Sequence, residues 1–184
     1  MPFHYLGTFI SSNFKYNSYL SKQETLGLKN GYQHLWKEGD ATKLPQLSQI
    51  TLLNNGTFYT ISSVADDSTK IFFARVGAND PNFNLRHDPA FVYRKNGSNQ
   101  TFFNVIESHG KFDPVAEVST NAYTSVKKME VLYNDDDYSV FSFTTSSKKI
   151  TIAQSNNNNN KDAHHSIKFN DSVLEWNGAY TIIF

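Results

Sequence analysis

Ile50-Thr51-Leu52-Leu53-Asn54-Asn55-Gly56-Thr57-Phe58-Tyr59-Thr60-Ile61-Ser62-Ser63-Val64 is the stretch that decides the fold. Two runs rich in β-branched and aromatic residues flank Asn54-Asn55-Gly56. Asn and Gly tolerate the positive φ of a tight hairpin turn, so this is a strong hairpin signal. Outward from it the same grammar repeats. Residues 70–76 read as a strand, ended by Gly77 and the Asn79-Asp80-Pro81 turn. Residues 90–94 and 101–107 flank Lys95-Asn96-Gly97-Ser98-Asn99, and 126–133 and 138–144 flank Asp135-Asp136-Asp137. Runs at 148–153, 166–170, 173–176 and 180–184 complete the series, the last after an Asn177-Gly178 turn.

Several runs alternate with period two, as a half-buried strand does. Val140 and Ser142 oppose Phe141 and Phe143, and Ile150 shares a face with Ile152. The only helical candidate, residues 18–28, is short and interrupted by a β-branched Thr and a Gly. The expectation is therefore an all-β chain: an antiparallel β-sandwich of many short strands with little or no helix. No linker marks a boundary, so residues 1–184 are expected to form one domain. The five-residue tract Asn156 to Asn160 reads as a mobile loop tip.

Composition supports this and narrows function. Aromatics make up 15% of the 184 residues, and such side chains suit a pleated, half-buried surface. Seventeen basic residues balance 17 acidic ones, so the basic excess of a nucleic-acid binder is missing and no nucleic-acid partner is expected. There is no cysteine, which rules out disulfides and thiolate metal sites. No apolar run approaches the ~20 residues of a membrane span. The first residues lack the pattern of a signal peptide.

Candidate chemistry lies in a few polar and aromatic positions. Glu107 and His109 sit two apart at an apparent strand end, hence on one face, with Gly110 permitting a turn. The pair could orient an imidazole for acid or base work; the plainer reading, and the favoured one, is a hydrogen-bonded turn histidine. Tyr32, His34 and Trp36 could face a sugar, an aromatic ring stacking on a pyranose, although buried aromatics usually pack a core. Arg86, followed by His87 and Asp88, could clamp a carboxylate with its planar fork, or simply pair with a nearby acid. Asp162, His164 and His165 have metal-ligand chemistry, but adjacent histidines on a strand point to opposite faces. Neither a metal site nor a cofactor is expected, and no serine-centred hydrolase motif occurs.

The order of several short stretches carries a resemblance. Asn30-Gly31-Tyr32-Gln33-His34-Leu35-Trp36 precedes Phe72 to Val76 and Gly77-Ala78-Asn79-Asp80-Pro81-Asn82-Phe83-Asn84-Leu85-Arg86. Asp88-Pro89-Ala90-Phe91 and Val105-Ile106-Glu107-Ser108-His109-Gly110-Lys111-Phe112-Asp113-Pro114 follow, then His165-Ser166 and Trp176-Asn177-Gly178-Ala179-Tyr180. Together, from about Phe3 to Tyr180, they resemble the C-terminal β part of heparinase II/III-type polysaccharide lyases, and most of all the oligoalginate (exo-type) alginate lyases.

The resemblance implies a helical toroid upstream, carrying most of the active site, and a start at Phe3-His4-Tyr5-Leu6-Gly7 that falls inside a sheet. It implies β-elimination on a uronate: a base removes the C5 proton, the carboxylate is neutralised, and an acid protonates the leaving oxygen. Expected partners are an acidic, oligoalginate-like oligosaccharide and the toroid of the same or a companion chain. The family's compartment would be the periplasm or the exterior. The first expectation is thus an accessory domain inactive alone. The alternatives are a free-standing carbohydrate-binding β-sandwich, an assembly module using a bare sheet edge, and an active lyase in this chain alone.

Overall fold

The computed structural model describes residues 2–4, 8–19, 24–77, 89–169 and 172–184. Among these the chain is built from sixteen strands and one 3-10 turn, Tyr32–His34, and all strand pairs are antiparallel. It divides into two compact units, Met1–Tyr123 and Thr124–Phe184. No described helix is long and apolar enough to cross a membrane.

The first unit holds two five-stranded sheets. One orders β1 (Pro2–His4), β8 (Pro89–Arg94), β7 (Lys70–Val76), β4 (Leu35–Ala41) and β3 (Asn17–Ser18) side by side. The other orders β10 (Val118–Thr120), β9 (Asn104–Asp113), β6 (Thr57–Val64), β5 (Leu47–Asn54) and β2 (Thr8–Ser12). Alternation along each strand sends every second side chain inward. Ile71, Phe73, Phe91 and Tyr93 of the first sheet meet Ile50, Leu52 and Ile61 of the second in one buried cluster. Two sheets sharing a core make a β-sandwich. Each fully buried aliphatic or aromatic side chain there contributes about 1.5–3 kcal/mol.

The hairpin read from Asn54-Asn55-Gly56 is present. β5 and β6 pair from Leu47↔Val64 to Asn54↔Thr57, and Asn55 and Gly56 take φ of 47° and 73°. Other expectations need correction. Residues 95–99 do not close a hairpin: β8 pairs with β7 and β1, and β9 with β6 and β10, so the chain crosses between sheets here. β9 starts only at Asn104 and runs through Gly110 to Asp113. His109 is therefore inside a strand, not at its end. Gly110 is the extra residue where the register shifts between Thr57↔Lys111 and Phe58↔His109, a bulge rather than a turn. The expectation of little or no helix holds, and residues 24–28, part of the one helical candidate, contain none.

The second unit pairs a four-stranded sheet with a hairpin. The sheet orders β11 (Lys128–Asn134), β12 (Tyr138–Thr144), β13 (Lys149–Ser155) and β16 (Tyr180–Ile183). The hairpin joins β14 (His164–Phe169) to β15 (Ser172–Asn177). Val140 and Ala153 of the sheet pack with Ile167 and Trp176 of the hairpin. The asparagine tract does connect two strands, but its start is tied down. Asn156 donates to the Asp135 carbonyl, and Asn157 to the Asp136 carbonyl and the Asp137 carboxylate.

Candidate functional site

The sandwich of the first unit presents a sheet face turned away from its core, and this face collects cations and rings. Gly31, at φ 87°, turns the chain into the Tyr32–His34 segment, which sets Tyr32 near the end of β8. The Arg94 guanidinium lies 5.1 Å from the Tyr32 ring centre and 4.8 Å from that of Phe72. Lys37 Nζ lies 5.5 Å from the same Phe72 ring and 4.5 Å from Tyr19. Such contacts are within cation–π range. Lys37 also donates to Asp40 Oδ2 at 2.7 Å, and Asn17 and the Tyr19 hydroxyl donate to the same carboxylate at 3.1 and 3.3 Å. Burial alone would raise the Asp40 pKa. The hydrogen bonds from Lys37, Asn17 and Tyr19, with the Lys37 charge, outweigh it and hold the carboxyl below its ordinary value.

A cleft of about 490 Å³ opens at one end of the same unit, lined among others by Phe9, Tyr16, Ser18, Glu38, Phe73 and Arg75. Arg75 Nε donates to Glu38 Oε1 at 2.6 Å, while the Arg75 side chain is 46% exposed. Tyr16 and Phe9 both pack on Phe73, with centroid separations of 4.6 and 5.5 Å. A guanidinium and a carboxylate thus sit beside aromatic faces in a cleft of small-molecule size.

The residues singled out in the sequence scatter over this frame. Tyr32 joins the cation–aromatic face. Trp36 lies opposite Arg75 in the β4–β7 register and so shares its face, beside the cleft. His34 closes the 3-10 turn, and its Nε2 accepts from Gln33 Nε2 at 3.2 Å. Arg86 lies outside the described residues.

His109 is in the other sheet, stacked on Phe58 at 6.1 Å. Both of its ring nitrogens are engaged. Nδ1 donates to the Asn121 carbonyl at 2.9 Å, and Nε2 meets the Thr60 hydroxyl at 2.8 Å. With Nδ1 carrying the proton, neutral Nε2 accepts from Thr60, whose oxygen then accepts from Thr51 at 2.8 Å. An imidazole so held has no nitrogen directed at a reactant.

In the second unit His164 and His165 point to opposite faces. His164 is exposed and bonded to Asn177 at 3.1 Å, whereas His165 is 4% exposed, against Tyr138 and Trp176. No cluster of three metal-ligating side chains occurs among the described residues. Arg94, Phe72 and Lys37 escaped the sequence reading, because only strand register brings them beside one another, and so did Arg75, which lies on the other face with Trp36.

The fold and this face define an all-β module with a polar, aromatic surface. Comparison with known proteins gives that class a context. No protein-family model matches the chain. It is similar to an alginate lyase of Stenotrophomonas maltophilia (strain K279a), 29% identical over 181 residues, covering 98% of this chain and 24% of that protein. It is also similar to an exo-oligoalginate lyase of Saccharophagus degradans (strain 2-40), 30% identical over 188 residues, covering all of this chain and 25% of that protein. The chain thus spans about a quarter of the length of these curated relatives.

Proposed function

We propose that residues 1–184 act as the C-terminal β module of a heparinase II/III-type polysaccharide lyase that cleaves alginate-type uronic acid oligosaccharides by β-elimination. In this reading the chain supports a companion catalytic part and supplies a wall of the substrate cleft. It does not carry out elimination alone. Tyr32, His34, Trp36 and Arg86 are assigned to the sugar-facing wall, and His109 to holding β9 against Asn121. The observation that carries the reading is the end-to-end similarity to one quarter of two alginate lyases. The engagement of both His109 nitrogens supports the absence of a general base there.

The test is an ultraviolet assay for the unsaturated uronate product on oligoalginate. The chain is measured alone, and then joined to an upstream region taken from one of the relatives. The expected result is no product from the chain alone, and more product from the joined polypeptide than from the upstream region by itself. Product from the isolated chain, lost in His109→Ala, would overturn the reading. The cation–aromatic face favours a second reading, a free-standing carbohydrate-binding module. Saturable binding of oligouronates, with no gain of activity on joining, would select it.

A further inference from the structure

We infer that the outer face of the β4–β7–β8 sheet is a carboxylate-reading strip, in which Lys70 and Arg94 bind acidic groups of a uronic acid oligosaccharide. This rests on the reading above and names the surface that would give it acid specificity.

The first observation is electrostatic. Lys70 and Arg94 are directly opposed in the β7–β8 register, so their side chains leave the same face side by side. Like charges placed directly opposite on a sheet destabilise it. Neither residue has an acidic partner among the described residues. The register brings Phe72 and Lys37 to the same face, since Phe72 lies two residues from Lys70, and Lys37 pairs with Ala74. Asp40, opposite Phe72, engages Lys37 and leaves the other two cations uncompensated. The whole chain has no net charge, so this concentration is local and invisible in composition.

The second observation is geometric. Arg94 lies near both the Tyr32 and Phe72 rings, at 5.1 and 4.8 Å, which restricts its orientation without using its N–H groups. A guanidinium held this way presents its donor edge as a fork, the shape that binds a carboxylate with two parallel hydrogen bonds. A repulsive cation pair, one member preoriented by rings and with no acidic partner among the described residues, is a surface completed by an anion from outside. A chain of pyranoses with one carboxylate each supplies anions in series and flat faces for the rings between them.

The experiment uses the full chain, titrated calorimetrically with a saturated oligoalginate and with a neutral β-1,4-glucan oligosaccharide of equal length. Binding of the acidic chain is expected, weakening as salt is added. The neutral chain, and the Lys70→Gln/Arg94→Gln double variant with the acidic chain, should each bind roughly tenfold more weakly or worse. Lys70→Gln alone should leave the thermal midpoint unchanged or raise it, because it relieves a like-charge pair. A purely structural lysine would lower it.

Equal affinity in the double variant overturns the strip, as does a several-degree fall in midpoint for Lys70→Gln. Silent titrations of the wild type overturn it too. If the joined polypeptide still gains lyase activity in that case, only the strip is lost; if it gains none, the lyase-module reading falls with it.

Discussion

The two units of this chain differ in the polar atoms they bury. In Met1–Tyr123 the buried hydroxyls have partners: Ser48 donates to the Ser63 carbonyl, and Ser62 accepts from Gln49. Thr60 meets both Thr51 and His109, and Thr69 donates to Asp66. In Thr124–Phe184 the buried Ser139 and Ser155 hydroxyls are bonded as well, but among the described residues three buried polar atoms there have no partner: Ser142 Oγ, His165 Nε2 and Trp176 Nε1. Ser142 shares the hairpin-facing side of β12 with Val140, and His165 is opposite Trp176 in the β14–β15 register. A buried polar atom without a partner costs about 1–3 kcal/mol. The smaller unit therefore combines a smaller apolar core with three such atoms, whereas the Tyr93 hydroxyl buried in the sandwich has Ser63 and Ser48 beside it. Its amides are expected to exchange with solvent at lower opening free energy than those of β5–β9. Equal protection in the two units would break the contrast.

The largest effect expected from a single change lies in the sandwich. Phe91 has no exposed surface, packs edge-on to Tyr93 at 6.0 Å and joins both sheets. Phe91→Ala should lower unfolding stability by about 3–5 kcal/mol, read by denaturant titration. A loss near 1 kcal/mol would mean that the two sheets do not share the core described here.

Gly110 comes next. Its φ is +49°, and a Cβ there would run into the backbone carbonyls of Thr120 and Asn121. Gly110→Ala should cost about 2–4 kcal/mol, from left-handed strain plus the displaced carbonyl edge. The His109 ring signals in an NMR spectrum should shift with it, because Asn121 is the acceptor for Nδ1. An unperturbed ring would show that the bulge does not set the histidine.

Gly110 also shows where sequence reading stops. A glycine after a β-rich run was read as a terminator, whereas here positive φ absorbs one extra residue and the strand continues. The Asn55-Gly56 hairpin was legible because its signal is local. β4 was not: Leu35–Ala41 contains Lys37, Glu38 and Asp40, which look like a solvated loop until Asp40 meets Lys37 and Glu38 meets Arg75. The candidate site divides the same way. Tyr32 and Trp36 can be chosen by residue type, but the Lys70–Arg94 opposition exists only once β7 and β8 are in register.

Thr60→Val follows in size. It keeps the shape but removes the hydroxyl between Thr51 and His109, and should cost about 1–3 kcal/mol by leaving His109 Nε2 without a partner. No loss in a thermal melt would mean that the network is replaced by solvent.

Acid should then loosen the sandwich through Asp66. Ser68 donates to its carboxylate through both its hydroxyl and its N–H, and Thr69 and Lys95 add to this. Hydrogen bonding from Ser68 leads, burial opposes it, and Lys95 and Thr69 add to it. The carboxyl is held well below its ordinary value. A depressed folded pKa contributes fully above the unfolded value of about 3.9 and is lost as pH falls through the folded one. Asp66→Asn should therefore cost about 1 kcal/mol at pH 7, a modest figure because the carboxylate is half exposed, and the difference from wild type should vanish in strong acid. A difference independent of pH would remove the charge from the explanation.

The smallest effect is the sharpest test of the contrast between the units. Ser142 is 2% exposed and its hydroxyl has no partner, so Ser142→Ala deletes a cost and very little packing. Stability should stay within about 0.5 kcal/mol of wild type or rise. This is opposite in sign to Thr60→Val, although both changes remove one buried hydroxyl from a central strand. A loss above about 1 kcal/mol would show that the Ser142 hydroxyl is satisfied in solution by an ordered water, which typically bonds such groups in the interior. Ser142 would then be satisfied by hydration, where Thr60 is satisfied by the side chains of Thr51 and His109.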